Sequence, residues 1–517
     1  MRLEDFQLEL APLACAMPVW HGRVDAAQWR RACEQVREKG GRLVALWASD
    51  NTDRGARYAV HAALTVRSGL LVITLPLGNE RFPDIADLFP AANRMQRAAY
   101  DLMGVRAERA ADERKWLRHG AWPETVFPLR KDFVASGINR VAYALQADNY
   151  PFVRVEGEGV HEIPVGPVHA GTIEPGHFRF SIVGEGVLRL EERLGYKHKG
   201  VEKRFESMTL AQGAKLAGRI SCDSTVAYAW AYAMAVECAT GVTPPARALC
   251  LRALFLERER IGQHLWDLGF LGNDAGLAFG LAQFSRLRED WLRSSHALFG
   301  HRYLMDAIVP GGVARDIDPA GIAQISAEIE EVGKSVALLK NIYDEHAGLQ
   351  DRFIGCGRVK PELAERLGLT GLAGRASAVA WDLRVQFPPV PYEQFDVRMA
   401  THGNGDVAAR VTVRFDEIAE SLRLVGLILA ELPPGEIVTP VPDAPEYALG
   451  IGWVEGWRGE VLIALETGAR NSIRRVHPHD PSWQNWPLLE RAVLGNIVPD
   501  FPLINKSFNL SYSGHDL

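Results

Sequence analysis

A short polar loop precedes a long alanine-rich helical pattern in the stretch GRISCDSTVAYAWAYAMAVE, residues 218–237. Ser221, Cys222, Asp223 and Ser224 follow one another in the loop, and Tyr228 comes one helical turn later. Thiols, carboxylates and hydroxyls are groups that bind metals or transfer protons. A loop this polar before a helix this apolar therefore suggests a functional site, either for a metal or for another ligand.

The cysteines are scattered along the chain and include no CxxC pair. This spacing predicts reduced, mostly buried thiols in a cytoplasmic protein. The six cysteines are at positions 15, 33, 222, 238, 250 and 356.

The composition is that of an ordinary globular protein, with 517 residues, 47% hydrophobic and 24% charged. This length predicts two to four domains. A net charge of −6 gives no electrostatic case for nucleic-acid binding. No apolar run is long enough to span a bilayer, and the start, MRLEDFQLEL, does not resemble a secretion signal.

Residues 1–135 are predicted to form a compact α/β unit. The apolar residues Trp29, Ala32 and Val36 have helical spacing within 26–38, and a second helix is expected over 90–103. A strand is predicted at 41–50, and two apolar runs around Ser68 and Gly69 predict a hairpin. The segment 136–154 mixes Gly, Asn, Asp and Pro, which is typical of a linker.

Residues 155–517 are predicted to form a larger domain. Alternating stretches that break at Gly-Glu-Gly predict short antiparallel strands at its start, and 448–468 predicts more strands. Residues 205–350 are helical, and 246–272 is apolar nearly all round, as in the central helix of a bundle. The fold class is therefore α+β, an N-terminal α/β domain fused to a helical bundle that small antiparallel sheets flank. Further helices are expected at 319–350 and 405–432.

Several motifs follow one another in the larger part of the chain: GPVHAGTIEPGHFRF (166–180), GYKHKGVEKRFE (195–206), the polar loop, VPGGVARDI (309–317) and EGWRGEVLIALE (455–466). In this order they resemble one superfamily, which contains the large subunits of NiFe hydrogenases and the quinone-site subunit of respiratory complex I. Residues 89–133 resemble the small hydrophilic subunit that lies beside the latter in complex I. The chain thus resembles a fusion of the two, and is most similar to hydrogenase-4-like or formate-hydrogenlyase-like large subunits that lack the NiFe cysteines.

The resemblance implies where a NiFe centre would be bound, by four cysteine thiolates in two pairs. The first pair falls on Ser221 and Ser224, and the second on Asn509 and Tyr512. Nickel and iron need soft thiolates, which hydroxyl and amide groups do not replace. We therefore expect this chain to bind no metal and to lack the NiFe centre.

The resemblance to complex I implies a quinone site instead, but both of its usual head-group ligands are replaced. The quinone histidine falls at or near Pro175, next to Glu174, and the quinone tyrosine falls on Cys222. In the ion-pumping hydrogenases the glutamate that corresponds to Glu174 transfers protons. Glu174 is thus the first candidate acid, with Asp223 and Tyr228 as the next stations of a proton path.

Other residues of these motifs are candidates for binding a quinone or facing a cofactor. His169, His177 and His198 remain near the expected site, and Cys222 occupies the tyrosine position. Arg219 either pairs with Asp223 or lies over an iron–sulfur cluster of a partner.

Three function classes remain open. The first is a redox subunit in the peripheral arm of a complex I-like or hydrogenase-4-like assembly, which lines a quinone-like acceptor cavity next to a partner's iron–sulfur cluster. The second is a non-catalytic scaffold or coupling subunit at the same position. The third, an active NiFe hydrogenase, is disfavoured by the missing cysteines.

The resemblance also implies partners and a location. We expect an iron–sulfur small subunit, antiporter-like membrane subunits and a peripheral position on the cytoplasmic face of the inner (plasma) membrane. The chain itself has no cluster motif and no dinucleotide fingerprint, so any NADH would bind another subunit. Apolar faces around 166–180, 219–238 and 506–517 are expected to be buried against the cluster-bearing partner.

Charged residues elsewhere are interpreted as structural. Asp382 and Arg384 are predicted to form a buried pair, and the charges of LERER (256–260) to form ion pairs within the bundle. His477 and His479 flank a proline and are predicted to be solvated.

We predict that the purified chain carries no nickel, because it offers no set of thiolates to bind the metal. Elemental analysis of the purified assembly measures this directly. Stoichiometric nickel in this subunit would refute the prediction.

Overall fold

A computed structural model of the chain describes residues 6–120, 122–135, 149–169 and 173–517. The part of the predicted linker that covers 136–148 lies outside the described residues, so the linker and the exact domain boundaries stay predictions. In the described chain, no helix has the length and apolar character needed to cross a membrane.

The N-terminal unit contains a five-stranded sheet with the order β1-β2-β5-β4-β3, in which β2 and β5 are parallel and the other neighbours antiparallel. The predicted strand, hairpin and two helices are all present. The elements are β1 (Ala11–Pro12), β2 (Val19–Arg23), α1 (Ala26–Glu38), β3 (Leu43–Asp50), β4 (Tyr58–Val66), β5 (Gly69–Pro76), β6 (Arg81–Pro83), α2 (Ala92–Met103) and β7 (Arg106–Glu108).

Local sequence explains these elements. Asp25 and Gln28 form a capping box at the start of α1, whose buried face includes the predicted Trp29, Ala32 and Val36. The hairpin turn between β4 and β5 uses Gly69 at φ 135°, where an added Cβ would lie 2.1 Å from the carbonyl oxygen of Pro18. Only glycine fits this turn without strain.

The second part of the chain is a helical bundle with small sheets at its edges, as predicted. Its first half contains β8 (Val160–Val165), β9 (His177–Val183), β10 (Gly186–Arg193), α3 (Val201–Phe205), α4 (Leu210–Ala217), α5 (Thr225–Thr240), α6 (Ala246–Asp274), α7 (Ala278–Phe299), β11 (Ile308–Val309) and β12 (Gly312–Val313). Its second half contains α8 (Pro319–Glu345), α9 (Ala347–Phe353), α10 (Pro361–Leu367), α11 (Gly371–Arg375), α12 (Leu383–Gln386), α13 (Val407–Ala430), β13 (Leu449–Glu455), β14 (Glu460–Thr467), β15 (Ile473–His479), α14 (Ser482–Ala492), α15 (Phe501–Phe508) and α16 (Tyr512–Asp516).

Helix α5 is buried along almost its whole length and packs directly on β13. An added Cβ on Gly450 or Gly452 would lie 1.9 or 1.8 Å from the carbonyl oxygens of Ala235 and Ala231. The alanines of α5 and the glycines of β13 thus allow the two backbones to touch. This contact fixes the helix that carries the polar loop.

Helix α6 crosses the core and carries charges that are paired inside it. Glu257 pairs with Arg384 and Arg260, and Arg258 pairs with Glu328, so the predicted ion pairs of the LERER segment are present. The buried Asp382–Arg384 pair is also confirmed, at 2.7 Å. Glu259 makes a different contact, which is described below.

The N-terminal unit docks on β15 of the larger one through stacked rings. Trp47 of β3 lies between His61 of β4 and His477 of β15, with ring centroids 5.0 and 5.2 Å apart. His477 and His479 are both buried, so the prediction that they are solvated was wrong. The polar HPH sequence lies in a strand that the other unit covers.

A disulfide joins Cys15, in the segment between β1 and β2, to Cys238 in the last turn of α5. The prediction that all six cysteines are reduced was wrong for this pair. The remaining four are free, and Cys222 is the exposed one among them. The bond ties the N-terminal unit to the helix that carries the polar loop.

We predict that acid weakens this fold through His479. Burial lowers the pKa of His479 to about 3, against about 6.5 in an unfolded chain. Below about pH 6.5 the unfolded chain therefore binds more protons, so the free energy of unfolding falls as the pH falls, by up to about 1.4 kcal/mol per pH unit for this residue. His479→Gln should reduce that slope, measured by chemical denaturation at a series of pH values.

The control is His161→Gln, because His161 is exposed in β8. It should leave the pH dependence unchanged. Equal slopes for wild type and His479→Gln would contradict the prediction.

Candidate functional site

The polar loop leads into a 3-10 turn, Cys222–Ser224, and then directly into α5. Ser224 provides no side-chain cap for the helix. The cap comes from α6, where Glu259 accepts hydrogen bonds from the backbone N–H groups of Val226 (2.7 Å) and Ala227 (3.2 Å). A buried helix start needs such acceptors, since water does not reach its free N–H groups.

Asp223 forms an ion pair with Arg458, which lies in the turn between β13 and β14. The guanidinium holds both carboxylate oxygens, and it also donates to Ser224 Oγ at 3.2 Å. Burial raises the pKa of Asp223, but the charge and hydrogen bonds of Arg458 outweigh this effect and hold it below its ordinary value. Asp223 is thus an ionised acid at neutral pH, with a side chain that is still 38% exposed.

Tyr228 lies deeper than Asp223 and is fully buried. Its hydroxyl donates to Asp480 Oδ2 at 2.7 Å. Burial and the carboxylate of Asp480 raise the pKa of Tyr228 well above its ordinary value. Tyr228 is therefore a neutral hydrogen-bond donor inside the protein, and any proton that it exchanges passes through Asp480.

The C-terminal segment closes the loop from the other side. Ser511 Oγ lies 2.9 Å from Ser221 Oγ, and Ser221 donates in turn to Asp223 Oδ1 at 2.7 Å. Asn509 and Tyr512, to which the resemblance assigned the second cysteine pair, face elsewhere: Asn509 donates to Asp267, and Tyr512 packs on Trp486. The residue of this segment that contacts a position of the first cysteine pair is Ser511, whose hydroxyl lies against Ser221.

This arrangement does not fit a NiFe centre. Ser221 Oγ meets Ser511 Oγ, and Ser224 Oγ accepts a hydrogen bond from Arg458, so both positions of the first pair carry hard, neutral hydroxyls where soft thiolates are required. The C-terminal segment also packs tightly here, since a Cβ added to Gly514 would lie only 2.4 Å from Asp480 Oδ2. Among the described residues, no group of three or more His, Cys, Asp or Glu side chains could hold a metal ion.

Glu174 lies at the open edge of this cluster. Its Oε2 accepts a hydrogen bond from the backbone N–H of Ser513 at 2.9 Å, and Lys197 Nζ lies 3.5 Å from Oε1. The side chain is 36% exposed. Glu174 thus contacts the first turn of α16, whose N-cap Ser511 leads on to Ser221 and Asp223.

His169 lies near this turn, against Phe178 and Tyr512. Its Nε2 is buried and has no hydrogen-bond partner among the described residues, and burial lowers the pKa of the ring. A neutral imidazole with a free nitrogen can bind a polar ligand atom.

The other candidates make structural contacts. His177 Nδ1 donates to the carbonyl of Gly166 at 3.2 Å, and His198 Nδ1 donates to the carbonyl of Asp516 at 2.8 Å. Arg219 pairs with Asp306 on the surface. The hypothesis that Arg219 pairs with Asp223 was therefore wrong. Cys222 is a free and exposed cysteine next to the Asp223–Arg458 pair.

The expectation that three apolar segments are covered by a partner needs correction. Helix α5 and residues 506–517 are buried within this chain. The hydrophobic side chains left exposed nearby lie in the 166–180 segment and the loop after β10. They are Val168 (82% exposed), Ile173 (43%) and Tyr196 (38%).

Sequence reasoning missed four residues that build the site. Arg458 is within a motif that was noticed, but its partner is 235 residues away. Glu259 was read as one of several bundle ion pairs, and Asp480 and Ser511 were not considered. The run of Ser221, Asp223 and Ser224 did signal that complementary polar groups had to lie opposite the loop.

Two family models match the chain. The respiratory-chain NADH dehydrogenase 49 Kd subunit matches residues 274–449, and the 30 Kd subunit matches residues 23–139. The larger and the smaller unit of this chain thus each correspond to one subunit of that enzyme.

Individual proteins match over most of the chain. Formate hydrogenlyase subunit 5 of Escherichia coli is 29% identical over 93% of this chain and 85% of its own length. Hydrogenase-4 component G of Escherichia coli is 30% identical over 92% of this chain and 84% of its own length. A chain of the membrane-bound sulfane sulfur reductase, an archaeal respiratory membrane complex, has a TM-score of 0.66 and 25% identity, covering 69% of this chain and 99% of that one.

The matches define a class of proteins, the oxidoreductase subunits of complex I-like and hydrogenase complexes. Within that class, the chain belongs to the same family as hydrogenase-4 component G and formate hydrogenlyase subunit 5. It matches both the 30 Kd and the 49 Kd subunit of the respiratory-chain NADH dehydrogenase. This confirms the resemblance inferred from the motifs.

We predict that Arg458 and Asp223 stabilise each other. Removing one partner of a buried ion pair costs about 3–5 kcal/mol, and the partial exposure of Asp223 should reduce this to about 2–3 kcal/mol for Arg458→Met. A double-mutant cycle with Asp223→Asn, measured by chemical denaturation, should give a coupling energy of about 1–3 kcal/mol.

The surface pair Arg219–Asp306 is the matched control, since both its side chains are about two-fifths exposed. Its cycle, with Arg219→Met and Asp306→Asn, should give a coupling energy of about 0–1 kcal/mol. Equal coupling in the two cycles would show that the Arg458–Asp223 contact has no special role.

Proposed function

We propose that this chain is a redox subunit in the peripheral arm of a membrane-bound complex I-like or hydrogenase-4-like assembly. In this function the loop around Asp223 and the segment around Glu174 line a site for a quinone-type acceptor, next to an iron–sulfur cluster of a partner subunit. Reduction of such an acceptor would take two electrons, which the partner's cluster would supply, and two protons.

One observation carries the proposal: a cluster of polar side chains lies beside a partly exposed acid, Glu174. Glu174 accepts a hydrogen bond from the backbone N–H of Ser513 in the first turn of α16, and the N-cap of that helix, Ser511, contacts Ser221, which donates to Asp223. Hydroxyls that both donate and accept can pass protons within such a cluster. Packing alone does not require the polar side chains of Ser511, Ser221 and Asp223 to contact one another. They do so at an edge where Cys222 and Glu174 are exposed to solvent.

The electrostatics supports a division of roles. Asp223, held ionised by Arg458, stabilises positive charge and accepts protons poorly at neutral pH. Glu174 contacts Lys197 at 3.5 Å and the backbone N–H of Ser513, and its side chain is 36% exposed and so open to an acceptor. His169, with its free Nε2, is the candidate hydrogen-bond partner for an acceptor oxygen.

The relatives are subunits of membrane complexes, which supports a setting of this kind. A partner with an iron–sulfur cluster would lie against the exposed side chains of Val168, Ile173 and Tyr196, beside Glu174. Antiporter-like subunits would hold the assembly on the cytoplasmic face of the inner membrane. The donor is another subunit, so NADH or formate chemistry is not assigned to this chain.

A second function has its own supporting observation. The Arg458–Asp223 pair and the Tyr228–Asp480 hydrogen bond satisfy the main polar groups of the loop within the chain. A site that is closed in this way also suits a scaffold or coupling subunit, in which the former metal cavity is filled by structural contacts.

We predict that Glu174→Gln slows turnover of the assembled complex by two to four orders of magnitude, the usual effect of removing a proton-transfer group. Glutamine still accepts the hydrogen bond from Ser513, so the complex should assemble normally. The measurement is electron transfer from the physiological donor to a quinone analogue in purified complexes.

Glu162→Gln is the matched control. Glu162 lies on the edge strand β8, pairs with Arg179 and is 35% exposed, which is close to the exposure of Glu174. It should turn over normally. If Glu174→Gln also assembles and turns over at the normal rate, the acid is a turn residue and the scaffold function is favoured.

A further inference from the structure

A cavity of about 180 Å³ lies between the two units and shares no residue with the candidate site. The N-terminal unit contributes the end of α1 and the turn between β4 and β5, and the larger unit contributes the segment around α12. Four other cavities in the described chain measure only about 10 to 30 Å³, enough for one or two water molecules. Ligand sites often lie where two domains meet, so this larger space is a candidate for one.

The walls of the cavity are apolar and partly aromatic. Val36 and Val66 line it from the N-terminal unit, and Trp381 and Phe387 line it from the larger unit. The two rings form a corner, with centroids 6.0 Å apart and planes at 66°. A flat ring can stack on one of them and present its edge to the other. An apolar cavity of about 150 Å³ holds one benzene molecule, so this one has room for a single ring with a small substituent.

Trp381 is held in place by contacts from both units. The guanidinium of Arg42 lies over its ring, 4.6 Å from the centroid. The indole N–H donates to Glu460, which also pairs with Arg42. The carbonyl of Trp381 accepts a hydrogen bond from the buried Arg375 at 3.0 Å. The aromatic wall is therefore fixed before a ligand arrives, which lowers the entropic cost of binding.

The polar side chains of the cavity favour an anion. Lys39 and Arg67 line it and are both exposed, and neither forms an ion pair within the described chain. No described Asp or Glu is among the lining residues, and the amide of Gln386 adds a further hydrogen-bonding group. A guanidinium can bind both oxygens of a carboxylate at once.

We propose that this cavity binds a small aromatic carboxylate, whose ring lies against Trp381 and Phe387 and whose charge is met by Arg67 and Lys39. The site is complete only when the units are docked, because the cations come from one unit and the rings from the other. A ligand that binds only the docked arrangement stabilises it. The inference does not depend on the acceptor site, so either stands if the other fails.

The test uses saturation-transfer NMR on the purified complex, with benzoate as the probe. Benzoate should bind saturably. Benzamide has the ring without the charge and acetate has the charge without the ring, so each should bind at least about tenfold more weakly. No saturable binding of benzoate, or equal binding of benzoate and benzamide, would overturn the inference.

Arg67→Gln should weaken benzoate binding at least about tenfold, because it removes the charged partner at an exposed position where the fold does not need it. Phe387→Leu keeps an apolar wall but loses the ring corner, and should weaken binding severalfold. The control is Arg31→Gln, since Arg31 is an exposed cation of α1 that does not line the cavity. Unchanged binding in Arg67→Gln, or equal losses in Arg67→Gln and Arg31→Gln, would show that benzoate responds only to general surface charge.

Hydrogen exchange of the same complex locates the bound probe. Saturating benzoate should slow exchange in peptides that cover 36–41, 64–67 and 381–387, on both sides of the cavity, and leave 221–228 unchanged. Protection at the polar loop instead would assign benzoate to the candidate site and overturn the inference.

Protection of one unit alone would also contradict it.

Discussion

Helix α5 begins inside the protein, and the need to satisfy its first backbone N–H groups shapes everything around it. Gly450 and Gly452 hold the helix against β13 with no side chain between them, so its start has no freedom to move toward solvent. The N–H groups must therefore find an acceptor within the fold. Glu259 is that acceptor, and its burial brings a second carboxyl close to Asp223.

Arg458 follows from the same constraint. Two acids at one buried helix start repel each other, and a cation is needed to keep at least one ionised. The guanidinium takes Asp223 and leaves Glu259 to be held by backbone groups alone. Asp223 and Glu259 are thus neighbouring acids with different pKa values: that of Asp223 is lowered and that of Glu259 is raised. The hydroxyls of Ser221 and Ser511 extend this polar cluster to the helix turn that Glu174 contacts.

Local patterns in the sequence predicted much of the fold. The periodicity of Trp29, Ala32 and Val36 placed α1, and the apolar run 246–272 placed α6, because both signals arise within one element. The Asp382–Arg384 pair was predictable for the same reason, since its partners are two residues apart.

The candidate site was predictable only in part. Motif order located the polar loop and Glu174, but Asp223 and Arg458 are 235 residues apart, and Ser221 and Ser511 are 290 apart. No spacing rule connects such positions in a single sequence. His477 and His479 were misread because polar residues around a proline suggest a loop, and burial by another unit leaves no local trace. The Cys15–Cys238 disulfide was missed for the same reason.

The joining of two subunit types in one chain has a consequence for how their interface can change. When two units share a chain, docking is an intramolecular event, so each unit is held at a high effective concentration near the other. Contacts such as the ring of Trp47 between two histidines then do not have to capture a partner from dilute solution. Such an interface tolerates losses of affinity that would separate two independent subunits. Substitutions that weaken the docking of the two units are therefore tolerated, and they can accumulate between relatives without loss of assembly.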